Sequence, residues 1–569
     1  MPLNSLAMSK KIIECVPNFS EGRDLAVIEN ITAEIKSVDG VKLLDVDPGK
    51  ATNRTVVTFV GEPEAVIEAA FLAIQKAAEL IDMSHHHGEH ARMGATDVCP
   101  LIPVSNTSME ETAEYARRLA QRVGEEVDIP VYLYGAAQDR DYRKDLSVIR
   151  AGEYEGFFEK IKEPEWKPDF GPTVYSKRSG ATVIGARDFL IAYNVNLNSK
   201  STRIANRIAF DVREAGRVKR EGNPYTGEIV RDENGEAVRI PGTCKEVKAV
   251  GWYIEEYGVA QISANLTNYH VTPIHIFFDE VCKSSTNRGV RVTGSELVGL
   301  IPLKAMLDAG RYFLEKQERS IGVSDSELIH IAIKSMGLDE LGPFDPREKI
   351  IEYRMADEAD EHLINLSCKD FADETASESP APGGGSVSAL VGALGASLTT
   401  MCANLGANKR GWEDRVEEFS AFAEQGQSIK ADLMRLVDED TRSFNAIMSG
   451  FRLPKDTEED KAIRTKAIQD ASVYATQVPL QVMRRSYEIF DLAMAMVEKG
   501  NPNSITDAGV GALAAEMCIH GAYFNVMINA GSLSDKQVAN ELVSEAKEIR
   551  ANAVERKNEI SAKVEAAFV

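Results

Sequence analysis

The sequence predicts two halves of different fold class, an α+β N-terminal half and an all-α C-terminal half. Strand and helix patterns alternate through roughly the first 345 residues, and strand signals nearly vanish after that point. The composition, 44% hydrophobic and 27% charged, is that of a folded globular protein. A chain of 569 residues is too long for one hydrophobic core, so we expect several domains.

The N-terminal region predicts a two-layer α/β sandwich with β-α-β-β-α order. Apolar and β-branched runs predict strands, and apolar residues at helical spacing predict amphipathic helices. In chain order, strands are predicted over 11–16, 41–46, 55–60 and 131–134, and helices over 25–35, 63–80 and 109–123.

A similar order returns and predicts a second sandwich subdomain. Its predicted strands are 189–195, 246–255, 259–265 and 290–293, and its predicted helices are 201–212 and 273–283. The intervening segment 217–242 is charged and glycine-rich and contains the turn signal Asp232-Glu-Asn-Gly235. We therefore expect it to form a surface hairpin.

The C-terminal region predicts an all-helical bundle. The predicted helices are 363–372, 387–405, 412–442, 461–499, 506–529 and 535–567. The least polar stretch, 386–401, carries hydroxyl residues and is short for a membrane span, so we expect a buried helix there. The predicted domains are 10–188, 189–345 and 361–569, with a linker over 346–360.

Charge and cysteine use restrict the function. With 65 Lys+Arg against 88 Asp+Glu the formal charge is −23, which disfavours nucleic-acid and membrane partners. An anionic substrate would need a local basic island, a cluster of cationic side chains within an acidic surface. Seven single cysteines without a CxxC pair, and a start that lacks the apolar core of a signal peptide, predict a cytoplasmic protein.

Four histidines lie within six residues, His85, His86, His87 and His90. Three interpretations are open: a metal site, a general acid/base histidine, and a solvated polar turn. The four-residue spacing of His86 and His90 permits a metal site, but Gly88 weakens a helix there and no HExxH pattern occurs. The neighbouring arginine and glycines favour the acid/base interpretation.

A second candidate segment follows the predicted strand 41–46. The strand ends in two carboxylates, Asp45 and Asp47, of which we expect one to point into the cleft, where it could orient a histidine. Arg54 could bind a substrate carboxylate through two parallel hydrogen bonds. The alternative is a loop rich in turn-forming residues.

Two segments of the helical half could carry chemistry. Pro380-Ala-Pro-Gly383-Gly384-Gly385-Ser386 precedes a helix, whose first N–H groups can bind an anion; the alternative is a linker. Asp440 continues the face of Leu433 and Val437, so we expect it to point inward. An inward carboxylate is unfavourable unless it is partnered or functional.

A series of motifs resembles one family along nearly the whole chain. They are ECVPNFSEGR from Glu14, LLDVD ending at Asp47, TNRTV from Thr52, GEHxRMGA from Gly88, PVYLYG from Pro130, RAGEYE from Arg150, PDFGP from Pro168, GATVxGAR from Gly180, GWY from Gly251, ELVGLIPLKA from Glu296, APGGGSV from Ala381 and GAYFNVMIN from Gly521. The chain resembles formimidoyltransferase-cyclodeaminases, the bifunctional folate enzymes of histidine degradation.

The resemblance implies two reactions and a homo-oligomer. The first half would transfer the formimidoyl group of N-formimidoylglutamate to N5 of tetrahydrofolate, the co-substrate in free or polyglutamylated form. The second would cyclise the product to 5,10-methenyltetrahydrofolate and release ammonia. No metal is implied. The helical half also resembles methenyltetrahydrofolate cyclohydrolases, so that half could instead be a cyclohydrolase or a non-catalytic oligomerisation or folate-binding module.

The resemblance also implies site residues. His90 maps to the transferase catalytic histidine and Asp440 to the cyclodeaminase proton donor and acceptor. We expect Gly383, Gly384, Gly385 and Ser386, at the start of the predicted helix, to bind substrate. The folate-binding segment maps to 171–180, which includes Gly171, Pro172, Lys177, Arg178 and Gly180. We add two hypotheses: Asp47 orients His90, and the basic island consists of Arg54, Arg92, Lys177 and Arg178.

Overall fold

The computed structural model describes residues 11–50, 52–88, 91–224, 226–355 and 363–568. The chain splits into two compact units. The first unit is Met1–Ala309 with Ile333–Ala356, and the second is Gly310–Ala332 with Asp357–Val569. The predicted fold classes are confirmed, since the first unit has mixed α/β structure and the second is helical.

The first unit begins with a seven-stranded mixed sheet. Its strands are β1 (Ile12–Cys15), β2 (Asn18–Phe19), β3 (Val41–Gly49), β4 (Arg54–Gly61), β5 (Thr96–Ser105), β6 (Val131–Gly135) and β7 (Thr182–Ala186), and its helices are α1 (Leu25–Lys36), α2 (Pro63–Leu80), α3 (Met109–Glu126), α4 (Leu146–Arg150) and α5 (Glu153–Lys160). The order is β1-β4-β2-β5-β7-β6, with β3 paired to β4; β7 runs parallel to both β5 and β6.

Alternation along β1 and β4 gives this sheet two different faces. Ile13, Cys15, Val57 and Phe59 are fully buried in the core that contains α1, α2 and α3. The intervening side chains, including Glu14 and Arg54, point to the opposite face. The face without helices is therefore available for a site.

The second sheet of this unit has four antiparallel strands. The elements of this region are β8 (Ile191–Leu197), α6 (Thr202–Val212), β9 (Arg217–Val218), β10 (Arg239–Ile240), β11 (Val247–Ile254), β12 (Val259–Leu266), α7 (Ile274–Thr286) and β13 (Val292–Val298), of which β9 and β10 form a separate two-stranded sheet. Four helices follow: α8 (Leu303–Lys316) and α9 (Asp325–Met336), each of which contributes residues to both units, and α10 (Pro346–Lys349) and α11 (Ile351–Met355) of the first unit. The sheet order is β11-β12-β8-β13. The predicted hairpin over 217–242 is confirmed, since β9 pairs with β10 and the Gly235 N–H donates to the Asp232 carbonyl.

The second unit is a bundle of long helices. They are α12 (Cys368–Thr375), α13 (Gly384–Ala407), α14 (Val416–Arg452), α15 (Glu458–Tyr487), α16 (Ile489–Lys499), α17 (Ile505–Gly531) and α18 (Lys536–Ala566). Helix α13 packs against α14 and α17. Among the described residues, α13 alone has the length and hydropathy of a membrane span, but 61% of that stretch is buried inside the protein, as in a bundle core.

Several elements differ from the sequence predictions. Strands β2, β5 and β7 were not predicted; β5 contains Pro100 and Pro103 in an unbroken apolar run, which hides both the alternation and the strand propensity. The predicted helix 461–499 is two helices, α15 and α16. Much of the predicted linker 346–360 is folded as α10 and α11, and Ile351 packs against Leu44 and Val60.

Candidate active sites

The faces of the two sheets of the first unit enclose a cavity of about 630 Å³. One wall consists of side chains from β1, β3, β4 and β5, and the other of side chains from β8, β11, β12 and β13. A volume of this size accommodates a cofactor-sized small molecule. The cavity is therefore the candidate site of the first unit.

The cavity has more basic than acidic side chains in its lining. The cations are Arg54, Arg150, Arg187 and Lys248, and the carboxyls are Glu14 and Asp47. Among the predicted island residues, Arg54 lines the cavity. Arg150 and Arg187, which sequence reasoning missed as site residues, lie in the RAGEYE and GATVxGAR motifs, so the motif series contained the signal for them.

A buried carboxylate, Asp97, holds two of these arginines. Asp97 is fully buried and accepts hydrogen bonds from Arg54 Nη1, from Arg150 Nη2 at 2.7 Å and from the Met93 N–H at 2.9 Å. Because two arginines share one carboxylate, the three groups together carry a net positive charge at the cavity wall. Asp97 was also not predicted, because nothing in its local pattern shows which cations it meets.

Asp47 lies at the cavity wall on β3, beside Val56 of β4. Burial raises the pKa of Asp47, and Glu296 adds to the rise, while Lys349 opposes it. A carboxyl of raised pKa in a cavity can hold or exchange a proton.

His90 lies outside the described residues, together with Glu89. The preceding residue, Gly88, approaches the backbone of Thr52 so closely that a Cβ there would lie 2.1 Å from the Thr52 carbonyl oxygen. Thr52 lines the cavity. Gly88, two residues before His90, therefore lies against a lining residue at the end of the cavity where Asp47 and Arg54 lie.

His86 is buried, and both of its ring nitrogens have partners. Nε2 lies 2.8 Å from the Asn53 carbonyl oxygen, and Nδ1 accepts from Arg92 Nε at 3.3 Å. Burial lowers the pKa of His86, which favours the neutral ring. A metal ion on His86 would have to displace these bonds, and among the described residues no group of three His, Cys, Asp or Glu side chains could hold a metal.

Arg92 contacts its own chain. Besides His86, its guanidinium bonds Glu155 at 2.7 Å and Glu153 at 3.2 Å, and Arg92 is not among the described residues lining the cavity. Arg92 thereby ties the histidine segment, residues 85–88, to α5. Its predicted contact with substrate stays a prediction.

The segment 171–180 packs beside the histidine segment and contributes no lining to the cavity. Gly171, Lys177 and Arg178 are exposed, and Pro172 is partly buried. Gly180 has φ +68°, and a Cβ there would lie 2.2 Å from the Met93 carbonyl oxygen, so this position requires glycine. The predicted folate contact of this segment stays a prediction.

In the second unit, Asp440 meets the start of α13. One carboxylate oxygen accepts from the Ser386 N–H at 2.9 Å and from Ser386 Oγ at 3.1 Å. A Cβ on Gly385 would lie 2.2 Å from the other oxygen, so glycine lets the carboxylate approach. Gly383 is the N-cap and Gly384 the first helical residue. The predicted anion-binding helix start therefore binds this chain's own carboxylate.

Burial raises the pKa of Asp440, and the two Ser386 hydrogen bonds oppose the rise. The neighbouring Asp438 and Glu439 are also buried, whereas Phe444, four residues farther along the helix face of Asp440, is 42% exposed. Asn525 on α17 lies beside Gly384, its Nδ2 3.6 Å from where a Cβ on that glycine would be, and so reaches the start of α13. Sequence reasoning did not select Asn525, although it lies in the GAYFNVMIN motif.

Three family models match the chain in order. The Formiminotransferase domain, N-terminal subdomain, matches 12–187, the Formiminotransferase domain matches 192–356, and Formiminotransferase-cyclodeaminase matches 367–548. The class of protein is thus a fusion of a two-subdomain formiminotransferase with a helical domain.

Relatives identify the particular fusion. The chain is 42% identical over 526 residues to the formimidoyltransferase-cyclodeaminase of Mus musculus, which covers 92% of this chain and 93% of that protein. It is 45% identical over 306 residues to a glutamate formimidoyltransferase of Thermoplasma acidophilum, covering 53% of this chain and 92% of that protein. A methenyltetrahydrofolate cyclohydrolase of Methylorubrum extorquens is 38% identical over 189 residues, 33% of this chain and 91% of that protein. The chain belongs to the formimidoyltransferase-cyclodeaminase family.

Proposed function

We propose that the chain is a bifunctional folate enzyme. Its first unit transfers the formimidoyl group from N-formimidoyl-L-glutamate to N5 of tetrahydrofolate and releases glutamate. Its second unit converts 5-formimidoyltetrahydrofolate into 5,10-methenyltetrahydrofolate and ammonia. Besides the family relation, the observation that carries the proposal is the pair of carboxyls, Asp47 in a basic cavity and Asp440 at a helix start, both with raised pKa.

In the transfer, N5 attacks the amidine carbon and loses a proton, while the departing glutamate nitrogen gains one. A histidine that titrates near neutrality can accept the first proton and donate the second. We assign this role to His90. Asp47 would orient the ring or stabilise its charged form from the cavity wall.

The substrate carboxylates need cations in the cavity. Arg54, Arg150, Arg187 and Lys248 line it, and the first two are oriented by Asp97. We propose these four side chains as the site for the substrate carboxylates, so that Arg54 is the one residue kept from the predicted basic island. Lys177 and Arg178 are exposed next to the histidine segment, and we assign them to the polyglutamate tail of the folate.

In the cyclodeamination, N10 closes the ring and loses its proton, and ammonia leaves in protonated form. A carboxyl of raised pKa can carry this proton, and Asp440 meets that requirement. The Ser386 N–H holds the carboxylate in place. Neither reaction as written requires a metal ion.

A homo-oligomer is the proposed assembly, and the cytoplasm is the proposed location. Helix α17 has an exposed apolar stripe, formed by Val510, Leu513, Met517, Phe524 and Ile528. Large exposed apolar surfaces are typical of subunit interfaces. All seven cysteines are free thiols, which agrees with a reducing compartment.

One assay tests both reactions. Purified protein is given N-formimidoylglutamate and tetrahydrofolate, and glutamate, ammonia and methenyltetrahydrofolate are measured together. We expect equal release of glutamate and ammonia. Glutamate without ammonia would contradict the cyclodeaminase assignment and favour the cyclohydrolase related to the Methylorubrum protein, and no glutamate would contradict the transferase assignment.

A variant separates the two activities. Asp440→Asn should stop ammonia release and leave glutamate release intact. Asp432→Asn, on the same helix but 40% exposed and paired with Arg485, is the matched control and should retain both. Equal activity of the two variants would contradict the role of Asp440.

A further inference from the structure

Glu14 is a carboxyl that the chemistry above leaves unused. It lies on β1, lines the cavity and is 3% exposed. Within the part of the chain that the structure describes, its carboxyl has no hydrogen bond and no ion pair within 4 Å; Arg187 and Glu352 act on it only at longer range. Because a buried, unpaired carboxyl is unfavourable, this group calls for a partner that the chain does not supply.

The positive charge of Arg187 does not neutralise Glu14. Arg187 Nη1 donates to the Asp188 carbonyl at 2.8 Å, and burial outweighs its field, so that the pKa of Glu14 is raised to about 7. A ligand that offers two parallel N–H donors would satisfy both carboxylate oxygens at once.

Position along the sheet selects which part of a ligand reaches Glu14. Glu14 pairs with Val60 of β4, whereas Asp47 pairs with Val56 of the same strand. Four residues separate these positions, about 13 Å along the strand. The reacting amidine carbon and N5 belong near Asp47 and the histidine segment, so Glu14 meets a part of the ligand remote from the reaction.

The surroundings of Glu14 suit a flat heterocycle. Phe189, Leu300 and Ile351 line the cavity and form a cluster with Val60, the residue opposite Glu14. Apolar walls with one buried carboxyl fit a ring that carries its polar groups on one edge. The pterin has such an edge on its pyrimidine ring, with its 2-amino group and N3–H side by side, whereas N5 belongs to the other ring.

We propose that Glu14 is the specificity residue for the pterin ring, its carboxylate accepting hydrogen bonds from the 2-amino group and N3–H and thereby directing N5 toward the histidine segment. This inference rests on the proposed transferase function. It assigns the carboxyl to the folate and not to the amidine group of N-formimidoylglutamate, which must lie at the opposite end of the cavity.

Trp252 lines the cavity and allows a binding test that needs no turnover. In a full-length background with Trp166→Phe and Trp412→Phe, it is the remaining tryptophan. Quenching of its fluorescence at pH 8 reports binding of 5-formyltetrahydrofolate and of the analogue in which a methyl group replaces the 2-amino group. We expect this background to prefer the 2-amino compound by at least about tenfold.

Glu14→Gln should reduce that preference to about twofold or less, because the NH2 group of the side-chain amide would face an N–H donor of the pterin. Glu352→Gln is the matched control: this neighbouring carboxyl accepts from the Leu303 N–H at 2.7 Å and is not part of the cavity lining, so the preference should persist. Glu14→Asp, with circular dichroism on each variant, covers the case in which Glu14→Gln does not fold.

The inference is overturned if the unsubstituted background binds both compounds equally or neither, or if folded Glu14→Gln keeps the preference. A rise in KM for N-formimidoylglutamate alone in Glu14→Gln would also overturn it, in favour of the amidine. Glutamate release by the unsubstituted protein is measured in parallel. Its absence would refute the proposed function, whereas normal release with equal binding of both compounds would refute this inference only.

Discussion

At the scale of single residues, ionisable groups taken out of water define both candidate sites. Asp97 is fully buried yet satisfied by two arginines and a backbone N–H. Glu14 is nearly as buried, and the described residues offer its carboxyl no such partners. Asp97 therefore fixes two arginines of the cavity wall, whereas the carboxyl of Glu14 remains for a ligand.

The Asp97 ion pairs should be strongly stabilising in their context. Asp97→Asn leaves Arg54 and Arg150 without their counter-charge, and losing one partner of a buried pair costs about 3–5 kcal/mol. We expect a lower melting temperature and a higher KM for N-formimidoylglutamate. Glu64→Gln removes an exposed pair with Arg118 and should change stability by less than about 1 kcal/mol. A similar loss in both variants would contradict this view.

The ionisation of Glu14 should weaken the ligand-free fold as pH rises. Its pKa is raised from 4.5 to about 7, so the folded state binds an extra proton between these values and loses about 3 kcal/mol relative to the unfolded state by pH 7. The charged or titratable groups that act with it are Arg187, Glu352 and Cys15.

Glu14→Gln removes this penalty. Calorimetry should show a higher melting temperature than the unsubstituted protein at pH 8 and the same temperature at pH 4.5. A variant that melts lower at both values would mean that the carboxyl has a stabilising partner.

At the scale of elements, the start of a helix and the alternation of side chains along strands position the ionisable groups of the two sites. At the start of α13, Gly385 has no Cβ, and the Asp440 carboxylate can therefore reach the Ser386 N–H. Alternation along β1 and β4 sends one set of side chains to the helices and the other to the cavity. The sequence predicted these elements closely, because their apolar periodicity is strong.

The approach of Asp440 to α13 gives a steric prediction. In Gly385→Ala the new Cβ would lie 2.2 Å from Asp440 Oδ1, so the carboxylate must leave the Ser386 N–H. We expect ammonia release to fall by at least about tenfold, from the loss of one charged hydrogen bond, with glutamate release unchanged. Gly531→Ala, at the end of α17 with nothing within 4 Å of the new Cβ, should retain both activities. Full ammonia release by Gly385→Ala would show that this contact is dispensable.

At the scale of the whole molecule, the chain joins a two-sheet unit to a helical bundle, each with its own buried core. The apolar stripe of α17, from Val510 to Ile528, is the surface that we assign to a second copy of the chain.

A single charge should weaken that association. Phe524 is 66% exposed in the monomer, and Phe524→Asp places a charge in the proposed interface. We expect light scattering after gel filtration to give a smaller assembly. Asn540→Asp, an exposed position on α18, adds the same charge elsewhere and should leave the mass unchanged. An unchanged mass in Phe524→Asp would exclude this stripe as the interface.

The sequence by itself determined the fold classes, most helices and strands, and the family, because amphipathic periodicity and long motifs are local properties of the chain. It also singled out Asp47, Arg54, His90 and Asp440. Strand β5 could not be predicted from the sequence, because it contains two prolines and is buried on both faces, so its apolar and polar residues do not alternate.

Only the tertiary structure decided which side chains share a site. Glu14 and Trp252 line one cavity although 238 positions separate them along the chain, and no local pattern encodes such a meeting. The structure likewise turned Arg92 toward Glu155 and placed Arg187 and Lys248 in the cavity. The physical reason is that pairing of distant strands, not local propensity, sets which charges face each other and how much water reaches them.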